Sequence, residues 1–208
     1  MTTEALGAVA IVLALFCLWH ASATLGIRPA LTFFAIAVLT SWAFEEAGVV
    51  TGLVYGTYRY TSALGPWVGS VPVLIPLAWF CLAYATFTLV DLAAGRWMAA
   101  DPEGRDHDGG PTLATTSGSR GRLVGLALVG AGLMAAWDLV LDPILSGPVY
   151  RAWTWGTGGA SVGIPVQNSL GWMTTAFAIY VLYGWAVRRE TTARDGGRLG
   201  PPPSERAT

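Results

Sequence analysis

The chain has 208 residues, 53% of them hydrophobic and only 12% charged, with a formal net charge of −1. Its mean hydropathy is +0.52, whereas a soluble domain carries about 25% charged residues. The near-neutral balance offers no basic surface for nucleic acid, so no nucleic-acid partner is expected.

The apolar residues come in blocks. A helix needs about 20 mostly apolar residues to cross the hydrocarbon core. Five stretches meet that length: residues 5–25, 30–50, 71–94, 123–141 and 166–187. No alternating barrel pattern runs through them, so the predicted fold is an all-α, polytopic transmembrane bundle of about five spanning helices. In the first stretch, Ala21-Ser22-Ala23 resembles a cleavage site. The start Met1-Thr2-Thr3-Glu4 lacks the positive charge of a secretory signal, and a retained helix is expected. His20, Cys17 and Cys81 fall inside or at the end of apolar spans and read as packing residues; no metal ligand set or disulfide framework is implied.

Between the third and fourth spans, residues 96–122 include Asp101-Pro102-Glu103-Gly104, a charged, Gly-rich run expected to form a flexible loop. Residues 190–208, with Gly200-Pro201-Pro202-Pro203, read as a disordered tail, which leaves residues 1–189 as one transmembrane domain. All twelve basic residues are Arg. Five spans place Arg28, Arg96, Arg105, Arg120, Arg122, Arg188, Arg189, Arg194, Arg198 and Arg206 on one side, against Arg59 and Arg151 on the other. The positive-inside rule then predicts a multi-pass protein of the cell membrane with its N-terminus outside and its C-terminus cytoplasmic.

The two outer connections, residues 51–70 and 142–165, are aromatic and rich in Gly and Pro rather than hydrophilic. Two readings fit them: an aromatic belt at the membrane surface, or a lid folded over the bundle mouth above an apolar pocket.

Charged side chains inside a span are costly unless they face the bundle interior and find partners. Glu45 and Glu46 near the end of the second span, Asp138 and Asp142 near the end of the fourth, and Gln167 and Asn168 opening the fifth all fall at one depth, toward the outer side. Asp138 and Asp142 are four apart and share a helix face. Asp142 precedes Pro143 and is expected to end the helix, leaving Asp138 a turn deeper and drier. Glu45 shares a face with Ser41, Gly48 and Gly52, a stripe suited to close helix contact, and is the expected inward carboxylate; Glu46 belongs nearer the interface. Such carboxylates either hydrogen-bond between helices or form an acid/base pair, since a carboxyl group in dry surroundings keeps its proton and can deliver it to a weak base. No HExxH, P-loop, CxxC or GxSxG pattern is present.

Three stretches together resemble a known family: Glu45-Glu46-Ala47-Gly48 through Tyr55-Gly56-Thr57-Tyr58-Arg59-Tyr60; Val71-Pro72-Val73-Leu74-Ile75-Pro76-Leu77-Ala78-Trp79; and Trp137-Asp138-Leu139-Val140-Leu141-Asp142-Pro143 with Trp153-Thr154-Trp155, Gly163-Ile164-Pro165, Asn168 and Gly171-Trp172. They are similar to the CruF-type membrane-bound carotenoid 1′,2′-hydratases, the carotenoid biosynthesis proteins that include bisanhydrobacterioruberin hydratase. The resemblance covers about residues 40–185. It implies addition of water to the terminal C1′=C2′ double bond of an acyclic or monocyclic carotenoid, without a cofactor or metal. The implied partners are the carotenoid, water and the lipid bilayer, with other enzymes of the carotenoid pathway as candidates. On that reading Asp138 is the expected proton donor, Asp142 or Glu45 holds the water, and Asn168 orients one of them. Tyr55, Tyr58, Tyr60, Trp153 and Trp155 offer aromatic faces to a carbocation. Arg59 and Arg151 are expected to pair with carboxylates at the mouth. A lycopene-cyclase-like enzyme and a non-enzymatic carotenoid-binding or transport protein are the alternatives.

Overall fold

The computed structural model of the chain describes residues 3–100, 120–156 and 163–198. Five long helices dominate: α1 (Thr3–Leu25), α2 (Ile27–Thr51), α3 (Leu74–Ala100), α4 (Arg120–Leu145) and α5 (Val166–Arg198). Each contains a segment long and apolar enough to span a bilayer: Gly7–Leu25, Ile27–Thr51, Leu74–Ala94, Gly121–Leu145 and Val166–Arg189. Helices satisfy their own backbone groups, which is why chains of this composition cross lipid as helices. The protein is a multi-pass, all-α membrane bundle. Much of its apolar surface faces outward, with Val12 66% and Leu139 65% exposed, as lipid-facing positions require.

Helices α2, α3, α4 and α5 close a ring in which α4 packs mainly on α5, and α1 lies outside it against α2 and α3. The inner half of the ring is filled with aromatic rings. Phe33 meets Tyr183 edge to face at 4.8 Å, and Phe80, Tyr84 and Phe87 surround it. Such edge-on contacts add to the area that the rings bury. His20 is indeed a packing residue, its Nδ1 2.6 Å from the Tyr84 hydroxyl, and Cys17 and Cys81 are buried free thiols.

Several boundaries differ from expectation. The third helix begins at Leu74, because Val71–Pro72 form a short strand, β3, paired with β2 (Trp67–Val68). The two-residue turn between them, Gly69-Ser70, has Gly69 at φ +64°, a conformation glycine adopts without a Cβ penalty. The fourth helix runs through Pro143 to Leu145, so Asp142 is helical and does not end it. Helix α3 continues to Ala100, α4 starts at Arg120 and α5 continues to Arg198. Residues 96–100, 120–122 and 190–198 are therefore helical rather than loop or tail. The rest of the expected loop and tail lies outside the described residues.

Candidate active site

The links between α2 and α3 and between α4 and α5 meet at one end of the ring. β1 (Tyr58–Tyr60) from the first pairs antiparallel with β4 (Trp153–Trp155) from the second, with Tyr58 opposite Trp155 and Tyr60 opposite Trp153. Alternate residues of a strand face one way. Tyr58, Tyr60, Trp153 and Trp155 therefore turn toward the bundle, while Arg59 and Thr154 are exposed on the other face. Thr61 fastens the pair, its N–H donating to Ala152 O at 3.0 Å and its hydroxyl to Arg151 O at 2.6 Å. Arg151 adopts φ +47° to make that turn. The two links thus fold over one end of the bundle as a lid.

Beneath the lid the three expected carboxylates converge, each at most 5% exposed. Glu45 comes from α2. Its Oε2 accepts the Tyr58 hydroxyl at 2.5 Å and the Tyr60 hydroxyl at 2.6 Å, and its Oε1 accepts the Trp79 indole N–H at 2.8 Å. Burial, and after it the Glu45 charge, pushes both phenols above the usual tyrosine range, so both remain protonated donors. Asp138 and Asp142 are bridged by one amide: Asn168 Nδ2 donates to Asp138 Oδ1 at 2.5 Å and to Asp142 Oδ2 at 2.6 Å. Ser169 Oγ donates to Asp138 Oδ2 at 2.7 Å. These hydrogen bonds give the buried carboxyl oxygens the polar partners that burial takes away.

A cavity of about 100 Å³ lies between these groups and the lid. Glu45, Asp142 and Asn168 form its polar side; Tyr55, Tyr58, Tyr60, Trp79, Trp153, Trp155 and Trp172 form aromatic walls; Ile75, Ala78, Leu82, Leu141 and Leu145 complete it. Tyr55 is held by a 2.8 Å hydrogen bond to Thr175. Its ring fills the space that glycines leave: a Cβ on Gly48 would come within 2.7 Å of it, and one on Gly171 would collide with it. Of the small residues that share a face with Glu45, Gly48 thus seats an aromatic ring.

Three of the expected residues lie off the cavity wall. Asp138 is fully buried, with Asn168 and Ser169 donating to its two oxygens, and Asp142 is the aspartate that lines the chamber. Arg59 and Arg151 are both exposed, and among the described residues neither makes an ion pair with Glu45, Asp138 or Asp142. Arg59 is turned outward by the strand alternation that turns Tyr58 and Tyr60 inward. Glu46 and Gln167 have structural duties: Glu46 Oε2 accepts the Ser70 N–H at 2.7 Å, and Gln167 Nε2 donates to Leu53 O at 2.5 Å. Trp79, Trp172 and Ser169 were missed as site residues. A tryptophan inside a span carries a donor that needs a partner, and Trp79 stood in the quoted motifs with that signal.

This is a five-span membrane bundle with a lidded apolar chamber that exposes two carboxylates from different helices. The chain belongs to the carotenoid biosynthesis protein family, which matches residues 5–202. No curated protein and no solved structure matches it.

Proposed function

We propose that this carotenoid biosynthesis protein is a hydratase that adds water across the terminal C1′=C2′ double bond of an acyclic or monocyclic carotenoid. The observation that carries the reading is that Glu45 and Asp142, from different helices, both line an otherwise apolar, aromatic cavity. The two carboxyl groups have unlike surroundings. Glu45 accepts three hydrogen bonds and is built to hold negative charge; Asp142 accepts one, from Asn168, which leaves its Oδ1 for a proton.

Asp142 therefore gives its proton to C2′, and the alkene π electrons form the new C–H bond. The positive charge at tertiary C1′ faces the Glu45 carboxylate and the rings of Tyr55 and Trp153, whose π faces attract cations. Water attacks C1′ and its extra proton passes to Glu45, giving the tertiary alcohol. Proton exchange with solvent then recharges Asp142 and frees Glu45, so the sum is alkene plus water. The Trp155 indole N–H is buried without a partner. Buried donors of this kind are commonly satisfied by water, and Trp155 lines the cavity, so it is placed to hold the nucleophile. Asn168 keeps Asp142 aimed, and Asp138 anchors Asn168. By the distribution of arginines, the lid end faces outward and the opposite end faces the cytoplasm.

Co-expression in cells that make an acyclic carotene, followed by mass analysis of the pigments, tests the reading. Gain of one water per modified end is expected. An isomeric cyclic hydrocarbon identifies a cyclase instead, and unchanged pigment overturns catalysis on that carotene.

A further inference from the structure

At the lid end the ring of four helices is stitched along three of its four seams. Glu45 to Trp79 joins α2 to α3; Asn168 to Asp138 and Asp142 joins α4 to α5; and Tyr55, just after α2, joins Thr175 of α5. Among the described residues no hydrogen bond joins α3 to α4 at this level. A hydrogen bond between them, Thr86 Oγ1 to Met134 Sδ at 3.4 Å, lies deeper in the bundle.

The walls of the open seam are apolar. Ile75, Ala78 and Leu82 follow the spacing of one face of α3, and Leu141 and Leu145 that of one face of α4. All five line the cavity and all five are only half-buried, whereas Glu45, Asp142 and Asn168 in the same lining are buried. The chamber holds about 100 Å³. An extended carotenoid is about as long as the hydrocarbon core is thick, about 30 Å. Only an end of such a molecule fits inside.

We propose that the cavity opens sideways into the bilayer between α3 and α4, and that the polyene beyond the reacting end lies in this gap against Leu82 and Leu141. The proposal rests on a carotenoid occupying the chamber, but not on hydration. It makes the substrate a linear, membrane-dissolved molecule that enters end first from the lid-side leaflet. Width at the gap selects against a bulky group next to the reacting end, while the far end stays in lipid and is free to vary.

The test is pigment retention by protein purified in detergent from carotene-producing cells, read as polyene absorbance per protein. Leu82→Trp and Leu141→Trp are expected to retain at least tenfold less pigment than the parent protein. Leu133→Trp, on the 41% exposed lipid face of α4, is expected to retain it. Should the first two variants not fold, a photoreactive benzoylphenylalanine decides: at position 82 it labels the carotenoid, and at lipid-facing position 128 it does not. Unchanged retention by both folded tryptophan variants, equal labelling at the two positions, or a parent protein that holds no carotenoid overturns the portal. Bound but unmodified carotenoid in the parent, with the variants behaving as expected, keeps the portal and removes hydration.

Discussion

Replacing Glu45 by Gln keeps the shape of the side chain and removes its charge. The parent carboxylate satisfies three buried donors, two phenols on Oε2 and the Trp79 indole on Oε1. An amide has one accepting oxygen and one donating nitrogen. With its oxygen toward Trp79 the amide N–H groups can donate to the phenol oxygens, but the phenol protons then lose their acceptor, at a cost of about 1–3 kcal/mol in stability. That is tolerable for a domain with about 5–15 kcal/mol to spare, so the variant should still insert and fold. The effect on turnover is larger. A carboxylate about 4 Å from a developing cation, at an effective dielectric near 20, is worth about 4 kcal/mol, which is about a thousandfold in rate. Single-turnover conversion of carotene in proteoliposomes measures it. A rate within tenfold of the parent, with the protein folded, would refute the claim that the Glu45 charge stabilises the transition state.

The remaining consequences are more local. Asp142→Asn should bring hydration below detection, whereas Asp138→Asn, which touches the chamber through Asn168 alone, should lose about ten- to a hundredfold; product yields at matched expression compare them, and equal loss would return Asp138 to the chemistry. Trp155→Phe removes the unpaired indole N–H and should lower turnover by about tenfold with carotenoid retention unchanged, as parallel pigment and product measurements will show. Gly171→Ala sets a methyl group against the Tyr55 ring and Val54 O; overpacking of this kind costs about 1–3 kcal/mol, so a lower melting temperature in detergent is expected.

The spans and their acidic residues were legible because both signals are local. About 20 apolar residues in a row have one structural outcome in this setting, and Glu45, Asp138 and Asp142 interrupt such rows. Which aspartate faces the chamber was not legible. The usual effect of proline on the residue before it argued that Asp142 ends α4, yet Asn168 of α5 binds Asp142 and the helix carries on past Pro143. The lid was half legible: aromatic residues marked both links, but β1 and β4 are three residues each, too short to show a period, and their pairing joins positions nearly a hundred apart. Residues 71–72 were apolar enough to extend the third span and form a strand instead. Residues 190–198 were charged enough to read as tail, since composition alone does not separate a polar helical extension from an unstructured end.

The reactants of the proposed hydration have opposite solubilities, and the geometry of the lid end accommodates both. Tyr58 and Tyr60 line the carboxylate cavity and also a second, larger hollow of about 650 Å³ that includes Thr51, Thr57, Arg59 and Ser70 in its wall. Its lining mixes polar groups with Val49, Val50 and Trp67, whereas the lining of the cavity is mostly apolar. The two phenols thus stand between them with their hydroxyls committed to Glu45. In the hydration reading, Glu45 is the group that must lose a proton after each turnover, and it sits one phenol away from the polar side. In that reading water and protons travel past Glu45, while the polyene lies against the half-buried Leu82 and Leu141 of the proposed portal. On this division Glu45 and Asp142 have a use beyond the hydrogen bonds that hold them, and Asp138 serves them through Asn168; among the described residues none of the three is joined to a cation.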